Sequence, residues 1–206
     1  APNAFGFFFP FSIDSPTIRS AVEDYYRLLL SGMAGTPGFR LFWLMNEPTY
    51  ENKSDPRYAT AFRQYLREKY KNVTRLNQVW GTQYTNINQV SSKSEPVSSR
   101  FDRGEFHLEH VSNWFRWLAS TARSYDPKII LSNKPQAYTV TAPDRGIDFE
   151  ELSEVVDVLG SDGVRELSGK EFAFSWQDPI FLYDFQKSIE PAKPIADLEF
   201  HVAEQP

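Results

Sequence analysis

Five short runs of nearly unbroken apolar residues, separated by stretches of helical periodicity, constrain this chain more than any other feature. They fall near residues 4–9, 39–46, 128–133, 155–161 and 194–199. A strand with one face in water alternates apolar and polar residues, whereas a strand that is apolar on successive positions is buried on both faces, as in a parallel sheet covered by helices. Alternation of such strands with helices predicts an α/β fold assembled from β/α units.

The intervening segments carry helix signals. Ser15-Pro16 reads as an N-cap followed by proline at the first helical position, and Ile18, Val22, Tyr25, Tyr26 and Leu29 recur at spacings of three and four before Gly32 and Gly35. A second helix is expected from Asp55-Pro56 through Ala59, Phe62, Tyr65, Leu66 and Tyr70. A third runs from about Phe101 to Tyr125 and carries Phe106, Val111, Trp114, Phe115 and Leu118. Two shorter ones are expected near 148–154 and 179–189. The serine-rich stretch at 91–99 reads as a surface loop.

At 206 residues the default is one domain, and 22 basic against 27 acidic residues give a net charge of −5. The basic residues are scattered rather than striped, so no nucleic-acid partner is expected and a neutral substrate fits better. The absence of cysteine excludes disulfides, thiolate metal sites and cysteine nucleophiles. No apolar run approaches the roughly 20 residues of a membrane span. The opening A-F-G-F-F-F-P-F lacks a basic leader and is read as a strand, not a signal peptide, so a soluble protein of undetermined compartment is expected. Phosphate-binding loops, dinucleotide turns and serine-hydrolase elbows are missing from the sequence.

Two of the strand-like runs, L-F-W-L-M-N-E-P at 41–48 and K-P-I-A-D-L-E-F at 193–200, each deliver a glutamate to a strand end. Parallel β/α sheets place their chemistry at the C-terminal ends of the strands, and a pair of carboxylates is what cleaving a glycosidic bond requires. Glu47 and Glu199 are therefore the candidate catalytic pair. Asn46, beside Glu47, is placed to hydrogen-bond a sugar hydroxyl. Asn133 and Asp162 end two further strands and are expected at the same mouth, in substrate contact or in support of it. Trp176, in a polar loop, is a candidate stacking platform, and His201 a candidate hydrogen-bonding partner near the rim. His107 and His110 stand three apart on one helix, but no third ligand lies nearby and the spacing suits a solvent-exposed face.

The chain resembles the retaining glycosidases of clan A, and most closely the family 42 β-galactosidases. The likeness rests on W-L-M-N-E-P at 43–48, A-F-R-Q-Y-L-R-E-K-Y at 61–70, L-N-Q-V-W-G-T at 76–82, F-R-W-L-A at 115–119 and the final strand with Glu199. It implies a (β/α)8 TIM-barrel type fold, Glu47 as acid/base with Asn46 as its partner, Glu199 as nucleophile, a carbohydrate substrate and no cofactor beyond water. The chain departs from the family where many members hold a zinc with cysteines, having T-Y-E-N-K-S-D-P at 49–56, so no metal is expected there. It also has S-D-G-V at 161–164 where the clan usually places a tyrosine against the nucleophile.

A complete barrel takes about 250 residues and eight strands. The five strands here correspond to about the third to the seventh, so residues 1–206 are expected to form a catalytic barrel domain incomplete at both ends. The chain is expected to be a fragment of a longer enzyme; the alternatives are missing strands supplied by another chain or a homo-oligomer, or an unusual closure. The expected function is retaining hydrolysis of β-linked sugars, with β-galactosides as the candidate substrates. The competing readings are a non-catalytic carbohydrate-binding or scaffold protein, and a hydrolase using a metal held by Asp162 and the carboxylates.

Overall fold

A computed structural model describes residues 11–51, 55–90, 96–162, 165–166, 177–199 and 202–203. In chain order the elements are α1 (Pro16–Met33), β1 (Phe42–Asn46), α2 (Pro56–Tyr70), α3 (Val73–Trp80), α4 (Val97–Tyr125) and β2 (Leu131–Lys134). They continue with α5 (Phe149–Val155), β3 (Leu159–Asp162), β4 (Arg165–Glu166), α6 (Gln177–Ile189), β5 (Ile195–Glu199) and β6 (Val202–Ala203). The expected strand at 4–9 lies outside the described residues.

The four main strands run parallel in the order β1, β2, β3, β5. β1 pairs with β2 and β3 with β5, while bridges Ser132 to Val158 and Gln136 to Asp162 join the two pairs. Two-residue β4 and β6 pair beyond them, also in parallel. Every strand therefore points the same way, as the apolar runs predict, and their C-terminal ends share one edge. Among the described residues the sheet does not close into a barrel.

Gly160 shows how tightly these strands approach. A Cβ at this position would lie 2.0 Å from the Asn133 carbonyl oxygen and 2.6 Å from both Ser132 Oγ and Leu198 Cδ1. Only glycine leaves room for β3 between its neighbours.

Helices cover the sheet as their apolar stripes dictate. Tyr26 and Leu30 of α1 are buried with Phe42 of β1, the Tyr26 and Phe42 rings meeting edge to face at 5.1 Å, and Trp114, Phe115 and Leu118 of α4 complete this core. Asp55 caps α2 as expected, accepting from the Arg57 amide, and Asp148 caps α5 through the amides of Glu150 and Glu151, whereas Ser15 stands at the N-cap position of α1 without a side-chain capping bond.

Three features differ from expectation. α3 was not anticipated as a helix; Asn72 caps it through the Arg75 amide and Gly81 ends it in the left-handed conformation. α4 begins at Val97, inside the stretch expected to be a loop through 99. The His107/His110 face is not solvent-exposed. His107 is buried, its Nε2 donating to the Tyr50 carbonyl at 2.8 Å and its Nδ1 2.9 Å from the Tyr58 hydroxyl. His110 pairs with Asp14 at 3.0 Å. The cause is α2, which lays Tyr58 across this face of α4.

A buried carboxylate ties the helical excursion together. Asp102 of α4 accepts from the Tyr70 hydroxyl of α2 at 2.6 Å, the Trp80 indole of α3 at 2.7 Å and the Lys69 ammonium at 2.9 Å. This explains the tryptophan in L-N-Q-V-W-G-T: its N–H is one of the bonds that make the buried charge tolerable.

Candidate active site

Strand register assembles the site. Asn46 lies opposite Lys134, Asp162 opposite Glu199, and Gln136 opposite Asp162. The ends of β1, β2, β3 and β5 thus converge on one cluster. In both main pairs the register shifts next to the mouth, between Trp43 and Asn46 and between Ser161 and Asp162. Such irregularities re-aim side chains at strand ends.

One carboxylate oxygen from each of Glu47, Asp162 and Glu199 lies within 4.8 Å of the others. Glu47 sits just past β1, its amide donating to the Lys134 carbonyl at 2.9 Å, with a positive φ of 40°. That conformation is costly for a residue with a Cβ and persists where surrounding contacts impose it. Its carboxylate accepts from Gln136 Nε2 at 2.6 Å and from the Asn46 amide at 3.5 Å. Burial first, and then a hydrogen bond to Asp162 and its charge, push the Glu47 carboxyl above its ordinary range, while Lys134 pulls it down.

Asp162 is buried, and apart from the Glu47 carboxyl no described residue gives either of its carboxylate oxygens a hydrogen bond. A proton on Glu47 is the donor available to it, consistent with the upward shift at Glu47. Glu199 is more open, its side chain 37% exposed, and its amide donates to Asp197 Oδ1 at 3.2 Å.

Lys134, absent from the sequence-based candidates, stands at the centre. Its fully buried ammonium contacts Glu199 and lies 3.4 Å from Glu47 Oε1 and 3.7 Å from Asp162 Oδ2. β2 extends one residue past its predicted end, and that residue is Lys134. The signal available in the sequence was a lysine immediately following the apolar run and Asn133. Gln136 and the half-exposed Tyr138, whose phenol is pushed up by burial and by the Glu47 charge, were also missed.

Asn46 is exposed beside Glu47. Asn133 is buried, its Oδ1 accepting from the Met45 amide at 3.2 Å, which makes it a fastening of β1 to β2 instead of a group open to the mouth. Trp176 and His201 lie outside the described residues. The half-exposed Trp43, whose ring centre is 5.8 Å from Lys134 Nζ, is an aromatic surface at the cluster that the sequence reading did not single out.

Three carboxylates are a donor set that hard divalent cations accept. Here Lys134 sets an ammonium against all three, so a metal bound by them would share its space with a positive charge.

Residues 2–201 match the glycoside hydrolase family 42 β-galactosidase model. The chain belongs to this family. Beta-galactosidase Pbg of Clostridium perfringens is 25% identical over 198 residues, which are 90% of this chain and 28% of that protein. The structure of the apo exo-carrageenase GH42 from Bacteroides ovatus superposes with a TM-score of 0.72 at 27% identity, covering 91% of this chain and 29% of that one. The cold-adapted β-galactosidase from Rahnella sp. R3 gives 0.73 at 17% identity, over 92% and 29% of the respective chains, and shows the fold alone. This family 42 chain thus spans under a third of the length of these relatives.

Proposed function

We propose that this chain is the part of a (β/α)8 barrel, about its third to seventh strands, that carries a retaining glycoside hydrolase site for β-linked sugars. The observation that carries the reading is the juxtaposition of Glu47 and Glu199, with carboxylate oxygens within 4.8 Å at one mouth. Retaining enzymes hold their two carboxyl groups about 5–5.5 Å apart, inverting enzymes about 6.5–9.5 Å. The close spacing favours retention.

Glu47, raised by burial and beside Asp162, is the carboxyl suited to keep a proton and give it to the leaving oxygen. Glu199, more open and against an ammonium, is suited to remain ionised and attack the anomeric carbon. Water then releases the sugar, Glu47 taking its proton. Asn46, exposed beside Glu47, is placed for the sugar's hydroxyls, and Trp43 offers a ring to stack on. Membership of the family and the name of the Clostridium perfringens relative make β-galactosides the first substrates to test. Among the described residues β1 pairs on one side only, beside an apolar groove lined by Ile18, Val22, Leu44 and Trp114, which leaves room for a further strand of a barrel.

The test uses the full-length protein carrying this segment and an aryl β-galactoside followed by proton NMR. The expected first product is the β-anomer of the free sugar, with Glu199→Gln abolishing turnover while leaving the melting temperature nearly unchanged. An α-anomer as first product, or near-normal turnover in E199Q, would overturn the assignment. Saturable sugar binding without hydrolysis would favour a binding protein.

A further inference from the structure

Resting on the roles just proposed for Glu47 and Glu199, we propose that Lys134 is a positioning residue whose ion pair passes from Glu199 to Glu47 as the reaction proceeds, so that a buried ammonium serves both half-reactions. Neither the retaining mechanism nor the family assignment requires a lysine here.

A lysine side chain with no exposed surface is tolerated only when its charge is answered, and Lys134 meets a carboxylate from each of three strand ends: Glu47 after β1, Asp162 of β3 and Glu199 of β5. Among the described residues, the other titratable groups around the cluster are Tyr138, near Glu47, and Asp197 with Tyr183 of α6, whose hydroxyl donates to it. Gln136 facing Glu47 is neutral.

Charge conservation does the rest. Before reaction Glu199 is a carboxylate and Glu47 carries a proton. In the first step a bond forms from a Glu199 oxygen to the anomeric carbon, the bond to the leaving oxygen breaks, and that oxygen receives the Glu47 proton. Glu199 is then a neutral ester and Glu47 a carboxylate. The negative charge has moved between oxygens within 4.8 Å of one another, and Lys134 Nζ already touches both residues. Asp162, with Oδ2 3.7 Å from Nζ, takes no part in the transfer and anchors the ammonium. In the second step water oxygen bonds to the anomeric carbon, the ester C–O bond breaks, and Glu47 takes the water's proton, returning the ion pair to Glu199. An ammonium fixed in this position needs no reorganisation at either transition state.

A cation this near favours an ionised carboxylate by an amount that moves its titration about one to three pH units. In the full-length enzyme, Lys134→Met is therefore expected to fold, to lose most of its kcat/KM, and to have the acid limb of its kcat/KM profile displaced upward by about one to three units as Glu199 becomes harder to ionise. Lys134→Arg, which keeps a charge, is expected to restore the wild-type acid limb even at reduced rate. A folded K134M with an unmoved acid limb would reduce Lys134 to a packing role and overturn the proposal. If K134M does not fold, K134R carries the test, and an upward displacement of its acid limb contradicts the proposal. E199Q in the same assay separates the two readings. An active E199Q removes the catalytic assignment, whereas an inactive E199Q beside an unmoved K134M profile removes only the role of Lys134.

Discussion

Glu47 combines two unfavourable circumstances, a positive φ of 40° and a carboxyl whose burial beside Asp162 resists ionisation. Neither helps the fold, and residues that carry such costs cluster at sites of chemistry. The sign of the pH effect follows from the direction of the shift. A carboxyl raised in the folded state binds its proton more tightly there than in the unfolded chain. Its contribution to stability is complete below the ordinary carboxylate value and is lost as pH rises through the raised value. Glu47→Gln is therefore expected to gain stability relative to wild type across that window and to hold the gain above it, in urea titrations of the full-length protein at a series of pH values. A difference independent of pH would show that Glu47 titrates normally. The residue level is also where the sequence was least informative. Lys134 looks like an ordinary lysine after a strand, and only the register that sets it between three carboxylates gives it meaning.

At the scale of elements, β3 is the tightest fit, because Gly160 lies against the Asn133 carbonyl and the Leu198 side chain. Gly160→Ala puts a methyl group where neighbouring strands already touch. It is expected to cost about 3 kcal/mol, at the upper end of overpacking penalties, because backbone must move as well as side chains. Chemical denaturation checks this, and a loss below about 0.5 kcal/mol, the ordinary scatter of a surface change, would mean that the strands separate easily. Elements were largely legible in advance. Pro16 and Asp55-Pro56 mark α1 and α2 because proline and capping chemistry act locally, and the apolar runs mark the strands, but burial at every position holds only for β2 and β3; β1 alternates buried with exposed residues and β5 is only partly covered. α3 was missed because eight residues offer barely two turns of periodicity. Its Asn72 cap and Gly81 stop were the signals that remained. The burial of His107 was missed for a different reason: Tyr58 covers it from 49 residues away, and no local pattern reports such a contact.

At the scale of the molecule, parallel strands in the order β1, β2, β3, β5 bring Glu47, Lys134, Asp162 and Glu199 to one edge, although the glutamates are separated by most of the chain. That shared edge was legible, since parallel strands with helical crossovers all end on the same side. The grouping of the charges was not, because it depends on register shifts at two strand ends. The proposed mechanism requires Glu199 to form a covalent bond to sugar. The most direct test is to incubate the full-length protein with a 2-deoxy-2-fluoro-β-galactoside bearing a good leaving group, then locate the sugar adduct by peptide mass spectrometry. The expected result is one stoichiometric adduct on Glu199, whereas hydrolysis of β-galactosides with the adduct on a different residue, or with none at all, would contradict it.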